Sequence, residues 1–257
     1  MKQKIMTYLP LALLTIVAIA SLSFSERERA ALRCTDVVIS IEKNASHSDF
    51  VTDDDVYEMM GANRNMLIGR ELSEFNLSEV ESSIENNPSI LECETYFTIN
   101  GELYVKVRQR TPIMRVVSQN DDFYIDEFGV EMPLSEHASA RVIVVSGEIN
   151  EPYQANKNIF SSDESKLLQD MFGLTNKIRN DEMFLPLVEQ IYVTQNQELI
   201  LGSKIGPARI EFGSIDGCDE KLKHLKAFFN AEKVRENWQQ YKSLSLKYKN
   251  QIVCTKK

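Results

Sequence analysis

Residues 5–24 read IMTYLPLALLTIVAIASLSF, twenty positions whose only ionisable side chain is Tyr8. As a helix rising about 1.5 Å per residue, such a run spans roughly 30 Å, the hydrocarbon thickness of a bilayer. A helix satisfies its own backbone hydrogen bonds, which hydrocarbon demands. Pro10 falls about a turn inside the run, where a missing N–H costs less than at the centre. A membrane anchor is the expectation. The rival is a cleaved signal peptide, with Lys2 and Lys4 in front and Ala18-Ile19-Ala20 as a cleavage signature, but the apolar run is long for one. Lys2 and Lys4 on one flank and Arg27, Arg29 and Arg33 on the other leave the positive-inside count nearly balanced. Residues 1–4 read as a short cytoplasmic tail and 25–33 as a spacer, so the folded part is expected on the exported side.

The chain has 257 residues, enough for one or two domains, and 43% apolar residues to build their cores. A net charge of −9 argues against a general nucleic-acid binder, which needs a concentrated excess of Lys and Arg. Lys247, Lys249, Lys256 and Lys257 make the densest basic stretch, and a solubilising role explains it. Cys34, Cys93, Cys218 and Cys254 would meet an oxidising compartment if exported. Three disulfide pairings are open, as are isolated buried thiols, and no C-x-x-C spacing points to zinc.

After the spacer, residues 34–42 alternate, with Val37, Ile39 and Ile41 on one side, which predicts a half-buried strand. Thr52 reads as the N-cap of a helix whose first turn holds Asp53, Asp54 and Asp55, where the dipole favours negative charge. That placement accounts for the three aspartates without a metal. A second helix starts near Asn76 and ends at Asn86-Asn87-Pro88. Strands over 91–99 and 102–110 are joined by Asn100-Gly101, a strong hairpin signal.

Beyond Pro112 short strands are predicted over 113–117 and 123–126. Residues 141–145 read as a strand buried on both faces. A helix over 163–179, strands over 188–194, 198–201 and 208–212, and a helix over 219–229 running on towards Tyr241 follow. Residues 244–254 keep their apolar side chains on one parity and predict a terminal strand of about ten residues. The fold class is α+β.

Chemistry is sparse. His47, His137 and His224 have no partner at metal-ligand spacing, and the phosphate-loop, zinc-protease, dinucleotide and serine-elbow motifs are absent. No catalytic, cofactor or metal residue is assigned, and no small-molecule substrate is expected. Trp238, the single tryptophan, reads as a core or rim residue of the last helix rather than a sugar platform. Asn44-Ala45-Ser46 and Asn76-Leu77-Ser78 match a glycosylation pattern, but Asn76 is better explained as a helix cap. Arg108, Arg110 and Arg115 read as solvated sheet surface braced by carboxylates.

Order and spacing in the middle of the chain are more specific than any single motif. Val107-Arg108-Gln109-Arg110, Thr111-Pro112-Ile113, Phe123-Tyr124-Ile125-Asp126 with Gly129, and Met132-Pro133-Leu134 together resemble the domain junction of the FtsQ/DivIB cell-division family. Asn87-Pro88 before Ile90 is similar to that family's step into its hairpin, and the ending from Tyr241 to Cys254 is similar to Bacteroidetes-type members. The resemblance implies a transmembrane helix over 5–24, a POTRA domain over 34–116 with strand-helix-helix-hairpin order, and a β domain over 117–257. It further implies a non-enzymatic scaffold of the divisome in the inner membrane, at the septum, with its N-terminus cytoplasmic and its domains periplasmic. The partners implied are FtsB/FtsL-type single-span proteins and FtsK-type proteins. Docking is expected on the terminal strand through Leu246, Lys247, Tyr248, Lys249, Gln251 and Val253, by pairing with a partner strand. The short tail speaks against a tail-dependent cytoplasmic contact, and residues 148–180 carry no matched motif. The alternative function is an exported POTRA-containing component of envelope assembly or secretion.

Overall fold

The computed structural model describes residues 32–43, 49–161, 165–204, 209–231, 238–248 and 251–257. The expected anchor over 5–24, His47 and the Asn44 acceptor lie outside them. No helix among the described residues is long and apolar enough to cross a membrane. The chain divides into two units, the first made of Met1–Glu42 and Val51–Gln109, the second of Lys43–Phe50 and Arg110–Lys257.

In the first unit three strands, β1 (Asp36–Glu42), β2 (Ile90–Phe97) and β3 (Glu102–Gln109), form a sheet in the order β1-β3-β2. β1 runs parallel to β3, which sets Val37 opposite Leu103 and Ile39 opposite Val105, while β2 pairs antiparallel. Helix α1 (Asp53–Met59) starts as expected at Thr52. The Thr52 hydroxyl accepts from the Asp55 N–H at 3.3 Å and the Asp55 carboxylate accepts from the Thr52 N–H at 2.7 Å, a reciprocal capping box. Asn76 caps α3 (Leu77–Glu85) in the expected place. Between them α2 (Arg64–Leu67), capped by Asn63, is a single turn too short to show a helical period in sequence. Val56, Ile84, Leu103, Val105 and Val107 are fully buried and form the centre of this core.

The Asn100-Gly101 hairpin forms, with Gly101 at φ 82°. The Gly101 N–H donates to Thr98 O at 3.0 Å and the Thr98 N–H to Glu102 O at 2.9 Å, so the loop is a turn closed by a glycine bulge. A Cβ on Gly101 would stand 2.6 Å from the carbonyl oxygen of Arg33, which gives glycine a second reason to be there.

The second unit is built on one nine-stranded sheet. Its strands are β4 (Pro112–Val117), β5 (Asp122–Asp126), β6 (Glu131–Met132), β7 (Ile143–Gly147), β8 (Val188–Val193), β9 (Leu199–Ser203), β10 (Arg209–Gly213), β11 (Tyr241–Ser245) and β12 (Val253–Lys256). They lie in the order β12-β11-β10-β9-β8-β7-β4-β5-β6, with β4, β7 and β8 mutually parallel and β10 parallel to β11. Helices α4 (Lys166–Arg179) and α5 (Cys218–Asn230) contribute Leu168, Met171, Leu174, Ile178, Leu222, Leu225 and Phe229 to one core. Alternate strand residues such as Val116, Val145, Ile191, Leu201 and Phe212 supply the rest. Trp238 packs against the same core, its ring edge-on to Phe229 at 6.5 Å, as a rim residue would.

Several expectations need correction. β4 pairs with β5 and β7, so residues 112–116 belong to the second sheet and the first unit ends at Gln109 rather than at residue 116. The first ladder already stops at Gln109, so Pro112 does not break it; it opens the next strand, a position where its missing N–H does little harm. The strand expected over 141–145 is Ile143–Gly147, with Ile143 and Val145 buried and Val144 half-buried, so only one face is fully covered. α5 stops at Asn230, because Ala231 is already extended at φ −65° and ψ 128°. Residues 244–254 are not one strand: the chain turns, and β12 folds back antiparallel on β11.

Candidate functional site

Arg108 is surface as expected, paired with Glu92, and the Arg115 guanidinium donates to the Asp122 carboxylate at 2.6 Å. Arg110 departs from that reading. Its side chain is 15% exposed, and its partner at 2.9 Å, Asp126, is fully buried. The second Asp126 oxygen accepts from the N–H groups of Phe128 (2.9 Å) and Val130 (2.7 Å), closing the turn in which Gly129 takes φ 81°. Both oxygens of this carboxylate are therefore engaged in bonds that hold the turn.

The thiols are also quiet. All four cysteines are free, and Cys34 and Cys93 are buried. Burial, reinforced by Glu81 and Glu85 nearby, pushes the Cys93 thiol up to about 12, so it stays protonated and unreactive at neutral pH. Among the described residues no group of three or more His, Cys, Asp or Glu could hold a metal.

What remains open is the backbone at one end of the large sheet. Among the described residues β12 pairs only with β11, with Ser245 opposite Val253, Leu244 opposite Cys254 and Ser243 opposite Thr255. The direction of its amides follows from two bonds. Leu246 N–H donates to Glu211 O of β10 at 2.8 Å, so the even residues of β11 face β10 and Ser243 and Ser245 face β12. At the far end Lys257 N–H reaches back to Gln240 O at 2.9 Å. Both observations turn Val253 and Thr255 towards β11 and leave the N–H and C=O of Cys254 and Lys256 pointing outwards. Among the described residues no strand meets them.

A concave surface of about 230 Å³ lies beside this hairpin, between the start of α5 and the chain leaving β11. Lys221, His224, Leu246, Lys247, Tyr248 and Gln251 are among its lining residues. Gly213, at φ 76°, lets Lys247 approach closely; a Cβ there would be 3.2 Å from Lys247 Cγ. Lys247 pairs with Glu198, and that hydrogen bond raises its pKa. Lys221 donates to Ser214 O at 2.6 Å and lies over the Phe212 ring, and burial lowers its pKa.

The six residues expected to dock a partner are therefore dispersed. Lys247, Tyr248 and Gln251 share the concave rim, Tyr248 being 55% exposed, and Val253 stands on the edge strand at 43% exposed. Lys249 lies outside the described residues. Leu246 departs from that expectation: only 4% exposed, it belongs to the core and contributes to the concave surface as part of its floor rather than as an outward side chain. The sequence reading missed Cys254 and Lys256, whose backbone rather than side chain is the exposed feature.

A three-stranded sheet with helices between its first and second strands, followed by a mixed sheet with an open edge, defines a two-domain POTRA-bearing protein. The POTRA-like domain model matches residues 32–108. The model of the FtsQ/DivIB C-terminal-related family matches residues 111–255, more than half the chain, and the protein belongs to the FtsQ/DivIB family of non-enzymatic cell-division proteins. No curated protein matches it.

Proposed function

We propose that this chain is a membrane-anchored scaffold of the bacterial divisome that recruits single-span partners through its last strand. Residues 5–24 would hold it in the inner membrane with the N-terminus cytoplasmic, and both units would work in the periplasm at the septum. The observation that carries the docking mechanism is β12, a four-residue edge with outward-facing Cys254 and Lys256 backbone groups. A strand from an FtsB- or FtsL-type protein would pair there, the backbone giving affinity and Val253, Thr255 and the Tyr248 rim giving selectivity. An FtsK-type partner would engage the POTRA-like unit.

The test is a fluorescent fusion at Met1, compared with the same fusion lacking residues 253–257. Removing everything from Leu244 would be a poor test, because Leu244 is a fully buried core residue. A midcell band that is lost on deleting β12, with the protein still accumulating in the membrane, supports the reading. A band that persists moves docking elsewhere, and a uniform envelope signal from the intact chain overturns the division role.

A further inference from the structure

Most arginines among the described residues are already engaged. Arg33, Arg64, Arg70, Arg108, Arg110, Arg115 and Arg209 each hold a carboxylate. Arg141 and Arg179 hold none among the described residues, although the chain carries a surplus of acids. They come from distant parts of the sequence, Arg141 just before β7 and Arg179 at the end of α4, yet both line one cleft of about 620 Å³. Two unpaired guanidiniums converging on one cleft of an acidic protein mark a place where negative charge is brought from outside.

The cleft lies where β4, β7 and β8 begin and β9 ends. Its wall is apolar at Pro112, Ile113 and Val142, with Leu185 56% exposed beside Pro186. Lys204, on the same lining, is already paired with Glu189 at 2.7 Å. We propose that this cleft binds an acidic, extended segment of a partner protein, its carboxylates meeting Arg141 and Arg179 and its apolar side chains lying on Leu185 and Pro186. Guanidiniums bind carboxylates through paired N–H bonds, which gives direction as well as charge. An acidic glycan fits less well, because no aromatic platform among the described residues lines the cleft, whereas Leu185 and Pro186 offer an aliphatic surface. The surface is distinct from β12 and goes beyond docking on the terminal strand.

The test uses the full-length chain in detergent micelles and a dye-labelled hexapeptide of alternating glutamate and leucine, read by anisotropy against protein-free micelles. Binding is expected, and Arg141→Ala with Arg179→Ala should weaken it tenfold or more. Arg64→Ala with Arg108→Ala, which removes two paired arginines of the other unit, should not change it. Leu185→Glu, an exposed substitution that leaves both arginines in place, should weaken it as well. Deleting residues 253–257 should leave peptide binding intact, which separates this site from the terminal edge. Failure to bind at millimolar peptide, equal binding by the arginine double variant, or equal binding by a lysine-leucine peptide each overturns the proposal. If oligogalacturonate binds in an arginine-dependent way and the peptide does not, the occupant is a glycan and the peptide assignment is wrong.

Discussion

The large sheet ends in two different ways. At the β6 end, the strand is only two residues long and its outer side is taken: Glu131 N–H donates to Lys157 O at 2.8 Å, and Val130 bridges Asn158. The Glu131 carboxylate adds a bond from Gln154 N–H at 2.8 Å, and Ile159 N–H reaches Gly129 O at 2.9 Å. At the β12 end, nothing among the described residues plays that part. Edge strands invite unwanted pairing, and proteins usually cover or shorten them. One sheet that closes one edge with three backbone and side-chain bonds and leaves the other open treats the two edges differently. The closed edge is where stability should reside, and the open edge is where a partner can add.

The largest expected effect is therefore at the closed end. Asp126→Ala leaves Arg110 without the carboxylate that it faces at 2.9 Å and frees two turn amides. Breaking a buried pair by removing one partner costs about 3–5 kcal/mol. Chemical denaturation of the purified protein should show a loss of that size. A loss below about 1 kcal/mol would mean that the pair contributes no more than an exposed one, and the contrast between edges would lose its energetic half.

Gly129→Ala should come next. At φ 81° an added Cβ is strained, and it would meet the Phe160 ring at 2.7 Å. Phe160 is 54% exposed and can swing away, but fully buried Ile159, 3.2 Å from the added Cβ, must also give, so the loss is at least the backbone term of about 1–2 kcal/mol. Thermal melting should fall accordingly. An unchanged midpoint would show that the turn relaxes freely and does not hold the edge shut.

Glu131 offers a change of opposite sign. Its carboxylate is buried with one oxygen bonded to Gln154 and the other without a partner among the described residues. Burial raises its pKa, so the folded protein holds this proton at pH values where the unfolded chain has released it. Stability from this group is fully present below the ordinary glutamate value of about 4.3 and is lost as pH rises through the raised folded value. Glu131→Gln keeps an oxygen for Gln154 and cannot ionise. It should remove that downward slope and leave the protein more stable than the parent at neutral pH. Denaturation curves across this pH window check it; identical slopes in parent and variant would exclude Glu131 as the source.

How much of this contrast could be read from sequence depends on whether its cause is local. Thr52 with Asp55, Asn76, and Asn100-Gly101 act within a few residues, and each stands where the sequence placed it. Arg110 looked like Arg108 because alternation reveals which side a residue faces, not whether a partner is buried there. Arg141 and Arg179 line one cleft only because of the tertiary fold and carry no signal in their own neighbourhoods. The terminal strand failed for a specific reason. Cross-strand neighbours in this hairpin, such as Leu244 and Cys254, share parity, so two strands facing one core repeat the same odd-even pattern as a single long strand. Only the turn, where Gln251 N–H approaches Tyr248 O at 3.5 Å, separates the two readings, and it has neither glycine nor proline to announce it.

The smallest expected effect on stability is the most discriminating for the open edge. Lys256 N–H faces away from β11, so Lys256→Pro removes a donor that no described residue accepts from. Thr255 N–H faces β11, and Thr255→Pro breaks the hairpin's own ladder, a loss of about 1 kcal/mol or more. Melting should therefore separate the two variants, with Lys256→Pro close to the parent and Thr255→Pro lower. If partner recruitment is lost in Lys256→Pro while its melting stays at the parental value, the outward backbone is the docking element. If Lys256→Pro recruits normally, backbone pairing at that position is excluded, and the Tyr248 and Val253 side chains must carry recognition instead. If Lys256→Pro melts as low as Thr255→Pro, the alternation derived from Leu246 and Lys257 is wrong, and the open edge presents Val253 and Thr255 instead.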